Sequence, residues 1–270
     1  MWGTLLVPVD LLFPAAGILT TVAALRRKPQ PRQERLPPAS AGELIATAVA
    51  LVCVAVGPNI LVVALTPGMP DMHVLARSVL IPSVMIIAII GFASRSLGLH
   101  RLANRLWTGA WAGAAATGML DAVRLTGFSF GLMPGNMPRM FGVLILNTMA
   151  TGPSVLSDII GYLYHFWVGA CFGLTLTLLC GKVRWWVGLV WALIIELGMM
   201  TTPPMVVAMD TGYFGLKFGP GLFIVSLMAH IVYGIFLGLL LAKYTAHHGH
   251  ILQLASAAVQ ASKASEGRRA

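Results

Sequence analysis

Charged residues and cysteines are the scarce components of this 270-residue sequence. Asp, Glu, Lys and Arg together make up 10% of the chain, whereas soluble globular domains average about 25%. Hydrophobic residues reach 57%, so too few polar side chains are present to coat a water-soluble sphere. Only 3 Cys occur, which argues against a disulfide scaffold. The composition therefore excludes a soluble, disordered or disulfide-rich protein and predicts an all-α integral membrane protein.

Motifs of nucleotide-dependent and hydrolytic enzymes are also missing. The sequence has no phosphate-binding glycine loop, no zinc-protease helix motif and no nucleophile elbow. Cys53, Cys171 and Cys180 are spaced too widely for a local zinc or redox motif. We therefore expect no catalytic activity from this chain on its own, and we expect no nucleic-acid partner.

Seven apolar segments are long enough to be transmembrane helices, because a bilayer core about 30 Å thick requires roughly 20 residues of helix. Three of them form an N-terminal region (1–104) that includes a basic loop (26–40), and four form a second unit (105–243) before a tail (244–270). The segment nearest the N-terminus is interrupted by Pro8, Asp10 and Pro14. The seven predicted spans are residues 4–25, 43–65, 75–93, 106–123, 159–180, 185–202 and 221–242.

Basic residues are distributed unevenly across these spans. With seven spans, 14 of the 18 Lys and Arg residues fall on one side of the membrane, and only Arg77, Arg124, Arg139 and Lys217 fall on the other. Cytoplasmic loops carry the excess of Lys and Arg in membrane proteins. The asymmetry predicts a multi-pass protein of the inner (cytoplasmic) membrane, with its N-terminus outside and its C-terminus in the cytoplasm.

The second unit contains two similar segments. WTGAWAGAAATGM begins at Trp107 and WVGLVWALIIELGM begins at Trp186, and each precedes an outer loop that starts with Thr-Gly-aromatic. Each loop leads to an inward-running helix with the spacing His-x-x-x-Gly-x-x-x-Gly. We interpret residues 105–180 and 184–243 as two parallel helical-hairpin repeats. The shared positions are His165, Gly169 and Gly173 in one copy and His230, Gly234 and Gly238 in the other.

Ionisable residues within the predicted spans are the first candidates for a site, since such residues are costly in a bilayer. Asp121 and Glu196 occupy roughly matching places in the two repeats, and His165 and His230 match as well. These four groups are expected to face one shared cavity. The alternative is that each carboxylate only bonds a neighbouring group and so locks the helices together. The full set is Asp10, Asp121, Asp158, His165, Glu196 and His230.

Methionines concentrate in the outer half of the predicted topology. Glu196 lies three and four residues before Met199 and Met200, so the three share one helix face. Thioethers and imidazole suit Cu(I), although methionine also fills loose packing. The sequence predicts a site for a soft transition-metal ion, copper first, in a permease or delivery subunit. Further candidate ligands are Met69, Met72, His73, Met133, Met137 and Met140.

Two other functions fit the same residues. His165 and His230 could hold haem b between two helices, with the following glycines making room for the macrocycle. The chain would then be a haem- or quinone-binding anchor subunit of a redox complex. The third function is that of an accessory membrane subunit without a ligand. Expected partners are the lipid bilayer and other subunits of a membrane complex.

Overall fold

The computed structural model describes residues 6–28, 36–208 and 210–266, and the secondary structure of these residues is entirely helical. Residues 1–5, of which residues 4 and 5 begin the first predicted span, lie outside the described residues, as do 29–35 of the basic loop, 267–270 of the tail and Met209. The helices are α1 (Pro8–Arg26), α2 (Ala41–Ala64), α3 (Met72–Leu75), α4 (Ile81–Ser96), α5 (His100–Ser129), α6 (Met137–Leu146), α7 (Val155–Cys180), α8 (Trp185–Thr201), α9 (Pro203–Ala208), α10 (Pro220–Tyr244) and α11 (Ile251–Glu266). A π-helical turn (Ala76–Leu80) joins α3 to α4, and a 3-10 helix (Tyr213–Phe218) precedes α10.

Five helical segments are long and apolar enough to cross a membrane: α1, α2, the continuous segment Met72–Ser96, α7 and α10. The other two predicted spans, residues 106–123 and 185–202, fall on α5 and α8, which are not among these five helices. Helix α8 has 17 residues, roughly 26 Å at 1.5 Å per residue. Helix α5 has 30 residues but is less apolar, because Arg101, Arg105, Asp121 and Arg124 lie along it. The structure thus describes a helical membrane protein with five candidate membrane-spanning helices.

Helix α5 lies at the centre of the bundle, which explains why it carries charge. It packs against α1, α4, α7 and α10, so its polar side chains are surrounded by other helices. Arg105 and Asp121 are both almost fully buried. The helix begins at His100 and therefore continues across the predicted boundary between residues 104 and 105.

The contact between α1 and α5 depends on two glycines. A Cβ atom added to Gly17 would lie 2.8 Å from the Gly118 Cα atom. Real Cβ atoms do not approach other atoms so closely, so only glycine permits this helix spacing. Small residues commonly bring membrane helices together in this way. The N-terminal helix is consequently packed directly on the central helix of the second unit.

Several helix ends meet at one end of the bundle, which we call the basic end and define by Arg26, Arg101, Arg105, Lys182 and Lys243. There Lys243 Nζ donates hydrogen bonds to carbonyl oxygens in the last turn of α1. Arg101 Nε lies 3.2 Å from an oxygen of Glu43 in the first turn of α2. Arg105 Nη1 donates to the carbonyl oxygen of residue 178 near the end of α7, at 3.2 Å. Part of the positive charge at this end is therefore occupied in capping and joining helices.

Candidate functional site

The first of two buried carboxylate–imidazole pairs joins α5 to α7. Asp121 Oδ1 lies 3.1 Å from His165 Nε2 and 3.1 Å from Arg124 Nη1. Asp121 is completely buried. Its second oxygen, Oδ2, has no hydrogen-bond partner among the described residues. This helix pair therefore holds an imidazole against a carboxylate that retains one unpaired acceptor.

The second pair joins α8 to α10 in a similar way. Glu196 Oε2 lies 2.8 Å from His230 Nδ1 and accepts a hydrogen bond from Ser226 Oγ at 2.9 Å. His230 Nδ1 also lies 3.0 Å from the main-chain oxygen of Ser226. Glu196 Oε1 is buried and lacks a hydrogen-bond partner within the described part of the chain. Both pairs thus combine an acid from one helix of a hairpin with a histidine from the other.

Close glycine contacts bring the helices of each pair together. A Cβ atom on Gly113 would lie 2.9 Å from the Ala170 Cα atom, and one on Gly188 would lie 2.6 Å from the Gly234 carbonyl oxygen. Gly169 and Gly234 each follow a histidine of the pairs by four residues. Gly113 and Gly188 each precede an acid of the pairs by eight residues. The contacts therefore make Gly113 the counterpart of Gly188. An alignment of Trp107 with Trp186 would instead pair Gly188 with the residue four positions before Gly113 on α5.

The first pair belongs to a larger buried ion network that extends to α1. Asp10 Oδ2 lies 2.9 Å from Arg139 Nη2, and Asp10 Oδ1 accepts hydrogen bonds from Asn136 Nδ2 and the Tyr162 hydroxyl. The amide oxygen of Asn136 accepts a hydrogen bond from Arg124 at 3.0 Å. Asn136 therefore connects the Asp10 group with the Asp121 group.

Charge within this network is not balanced by its arginines. Arg139 also lies 3.6 Å from Asp158, so the carboxylates of Asp10, Asp121 and Asp158 face two guanidinium groups, those of Arg124 and Arg139. One formal negative charge remains when all three carboxylates are ionised and His165 is neutral. A proton on one of the carboxylates or on His165, or a bound cation, would neutralise that charge.

Sequence reasoning missed four members of the network. It assigned Arg124 and Arg139 to loops as orientation charges, and it gave no role to Asn136 or Tyr162. Asn136, Arg139 and Tyr162 all contact Asp10, which lies 126–152 residues away in the sequence, so no local pattern connects them with it. The available sequence signal is the spacing of Asp121 and Arg124, because an acid and a base three residues apart are neighbours on one helix face.

The methionines are placed at several sites. Met72, Met137, Met140 and Met199 belong to one apolar cluster that includes Phe141 and Tyr164. Met133 packs instead with Leu222 and Val225, and Met200 is buried. Met69 is 53% exposed, and His73 lies 3.9 Å from Asp71. Three separate methionine-containing segments therefore contribute to one cluster, which we call the methionine cluster and define by Met72, Met137, Met140 and Met199.

The apolar core that contains the methionine cluster borders His165 through Phe141 and shares helix α8 with Glu196. The ring of Phe141, a member of the same apolar core, is 6.3 Å from the His165 ring between centroids. Met199 is one helical turn after Glu196 on α8. Among the described residues, no group of three or more His, Cys, Asp and Glu side chains is arranged to hold a metal ion.

The chemistry available to each pair depends on which ring nitrogen of the histidine contacts the carboxylate. His165 presents Nε2 to Asp121 and keeps Nδ1, whereas His230 presents Nδ1 to Glu196 and keeps Nε2. Histidines that bind metals commonly place their other ring nitrogen against a carboxylate, which fixes the tautomer and raises ligand basicity. In this arrangement the acids orient the imidazoles, and each imidazole retains one nitrogen for a ligand or a proton.

Comparisons with known proteins add no assignment. The chain matches no protein-family model, no curated protein and no solved structure. The site geometry and the sequence therefore carry the functional argument.

Proposed function

We propose that this chain is a multi-pass inner-membrane protein that binds a soft transition-metal ion, Cu(I) first, in the outer half of the bilayer. It would act as a permease or as a subunit that delivers the ion to a partner. The proposal includes seven spans, with the shorter α8 and the more polar α5 crossing among other helices. The N-terminus is outside and the C-terminus is in the cytoplasm.

The observation that carries the proposal is the incomplete pairing of both carboxylate–imidazole pairs. Each pair keeps one imidazole nitrogen for a ligand, and each buries one carboxylate oxygen that has no hydrogen-bond partner among the described residues. Buried polar atoms in native proteins almost always have a hydrogen-bond partner. A buried carboxylate oxygen without such a partner therefore favours a bound ion, a proton or a water molecule at that position. Two such pairs favour cation binding over a purely structural role.

Two similar hairpins support a shared site. The spacings Gly113 to Asp121 and Gly188 to Glu196 are equal, and in both hairpins the acid contacts a histidine on the opposite helix. These parallels favour the interpretation of residues 105–180 and 184–243 as repeats. Sites for coupling ions commonly lie where repeats meet.

The methionine cluster favours a soft ion over a hard one. Thioethers and imidazole bind Cu(I), whereas Mg²⁺, Ca²⁺ and Mn²⁺ prefer oxygen ligands. Met199 and the adjacent Met200 are the closest methionines in sequence to Glu196, and both lie on α8. They therefore provide the first test of the metal site.

The test is Cu(I) binding by the purified full chain under reducing conditions, measured against a colorimetric Cu(I) chelator. We expect stoichiometric Cu(I) in the wild type and loss of at least about tenfold in affinity in Met199→Leu/Met200→Leu, because leucine keeps apolar volume but removes the thioether. The matched control is Met85→Leu/Met228→Leu, which changes two methionines that are 58% and 49% exposed. This control should bind as the wild type does.

Thermal unfolding of both variants checks that they remain folded. Equal Cu(I) binding by the wild type and the α8 variant would overturn the metal site at Met199 and Met200. Absence of Cu(I) from the wild type would overturn the copper proposal as a whole and leave the chain as an accessory subunit without this ligand.

Bis-histidine ligation of haem b is the second candidate function. The observation that favours it is that His165 and His230 each keep one ring nitrogen, and each is followed four residues later by a glycine. Haem between helices is held by such axial imidazoles. A reduced-minus-oxidised visible spectrum of the purified protein tests it. A b-type α band that disappears in His230→Ala would replace copper with a redox anchor function.

A further inference from the structure

An open cavity of about 840 Å³ lies at the basic end, on the tight loop that joins α7 to α8. Basic and aromatic side chains share its wall, together with Val183 and Ala242. Trp185 and Trp186 are 47% and 48% exposed there. The remaining lining residues are Lys182, Arg184 and His248.

The tail after α10 helps to form this cavity. The Lys182 main-chain N–H donates a hydrogen bond to the His247 carbonyl oxygen at 2.9 Å. That bond fixes the chain beside His248 against the α7–α8 loop. The cavity is thus built from three parts of the chain that the fold brings together, and it lies at the end of the bundle opposite Asp71 and Asp210.

Positive charge in the cavity is not compensated by carboxylates. Among the described residues, neither Lys182 nor Arg184 forms an ion pair with Asp or Glu, whereas Arg101 at the same end pairs with Glu43. Arg105 lies under the same loop, within reach of Gly181. The electrostatic field in the cavity therefore favours an anion.

The tryptophan side chains that line the cavity beside the basic residues indicate the source of that anion. Tryptophan side chains concentrate at the interface between bilayer and water, at the level of lipid headgroups. Basic pockets at the cytoplasmic ends of membrane helices bind anionic headgroups. We propose that the cavity binds the phosphate of an anionic phospholipid, with Lys182 and Arg184 contacting the phosphate and Trp185 and Trp186 contacting the glycerol and upper acyl region.

The experiment titrates the purified full chain in detergent with dioleoyl phosphatidylglycerol, dioleoyl phosphatidylcholine and inorganic phosphate in separate series. Native mass spectrometry measures the fraction of protein that retains one lipid. We expect phosphatidylglycerol to bind the wild type more tightly than phosphatidylcholine, and Lys182→Gln/Arg184→Gln to weaken phosphatidylglycerol binding about tenfold. Exchange of the two cations in Lys182→Arg/Arg184→Lys should preserve binding.

The matched control removes two other exposed cations from the same end in Arg26→Gln/Arg27→Gln. Phosphatidylglycerol binding by this variant should equal that of the wild type. An equal loss in both double variants would overturn the site and indicate diffuse attraction to the basic end. Displacement of phosphatidylglycerol by millimolar inorganic phosphate would overturn the lipid assignment in favour of a soluble phosphate. Equal affinity of the wild type for both lipids would also overturn it.

Discussion

Asp121 and His165 lie on different helices, 44 residues apart in sequence, and their side chains approach to 3.1 Å at a completely buried carboxylate. The same carboxylate oxygen also contacts Arg124. A single oxygen therefore joins the proposed cation site to the ion network that extends to Asp10. We therefore expect stability and binding at the proposed cation site to be coupled through this atom.

Replacing Asp121 by Asn should destabilise the protein by about 3 kcal/mol, because it removes the negative partner of Arg124 inside the bundle. The free energy of unfolding in mixed micelles, titrated with a denaturing detergent, measures this loss. The control is Asp210→Asn, since the Asp210 side chain is 80% exposed and pairs with the exposed Lys217. Exposed ion pairs contribute little, so the control should show no measurable change. Equal effects at the two positions would contradict the buried network.

Alanine should have opposite effects at two glycines. In Gly113→Ala the new Cβ atom would lie 2.9 Å from the Ala170 Cα atom, so we expect destabilisation of about 1–3 kcal/mol through forced helix separation. A Cβ atom added to Gly198 would meet no other atom within 4 Å, and alanine there should stabilise the helix by up to about 1 kcal/mol. Thermal unfolding of the two variants compares the signs. A stable Gly113→Ala protein would show that α5 and α7 do not pack this closely.

Lys243→Ala should loosen the end of α1. Lys243 Nζ donates hydrogen bonds to the carbonyl oxygens of Ala24 and Leu25 at 2.9 and 2.7 Å, and charged hydrogen bonds at a helix C-terminus are stabilising. We expect a loss of about 1–2 kcal/mol in the free energy of unfolding. Lys263→Ala removes the same charge from exposed α11 and serves as the control. If the two variants unfold alike, the capping role of Lys243 is wrong.

His247 should make stability depend on pH at the basic end. Burial, followed by the positive charges of Arg101, Arg105, His100 and His248, lowers the pKa of His247 below its ordinary value of 6.5. The folded state therefore favours neutral His247, whereas the unfolded chain takes up a proton there below pH 6.5. This contribution to stability is complete above pH 6.5 and is lost as the pH falls toward the folded-state pKa.

His247→Gln should accordingly reduce the slope of unfolding free energy against pH between about pH 7.5 and 5.5. The wild type should lose more stability than the variant over that interval, whatever their absolute stabilities. His250→Gln changes an exposed imidazole whose charge is not among those that lower the pKa of His247, and it should retain the wild-type slope. Parallel curves for the wild type and His247→Gln would exclude a role for His247 in the pH dependence.

Part of the candidate site could be predicted from the sequence, because membranes make ionisable residues conspicuous. Glu196 and His230 are rare polar groups in apolar segments, which singles them out in the sequence, and the structure places them 2.8 Å apart. The links through Asn136 and Tyr162 could not be predicted. Asparagine and tyrosine are ordinary residues in such a sequence, and only their proximity to Asp10 gives them a role.

The sequence by itself determined the all-helical membrane character, since apolar runs of about 20 residues leave the backbone no alternative to internal hydrogen bonding in lipid. Tertiary structure alone decided how the charges are used. Arg124 and Arg139 look like orientation charges in the sequence, yet both are buried. Arg124 pairs with Asp121 on its own helix, and Arg139 pairs with Asp10 of α1. Local periodicity reports which environment a segment prefers, whereas ion pairing depends on side chains brought together from distant parts of the chain.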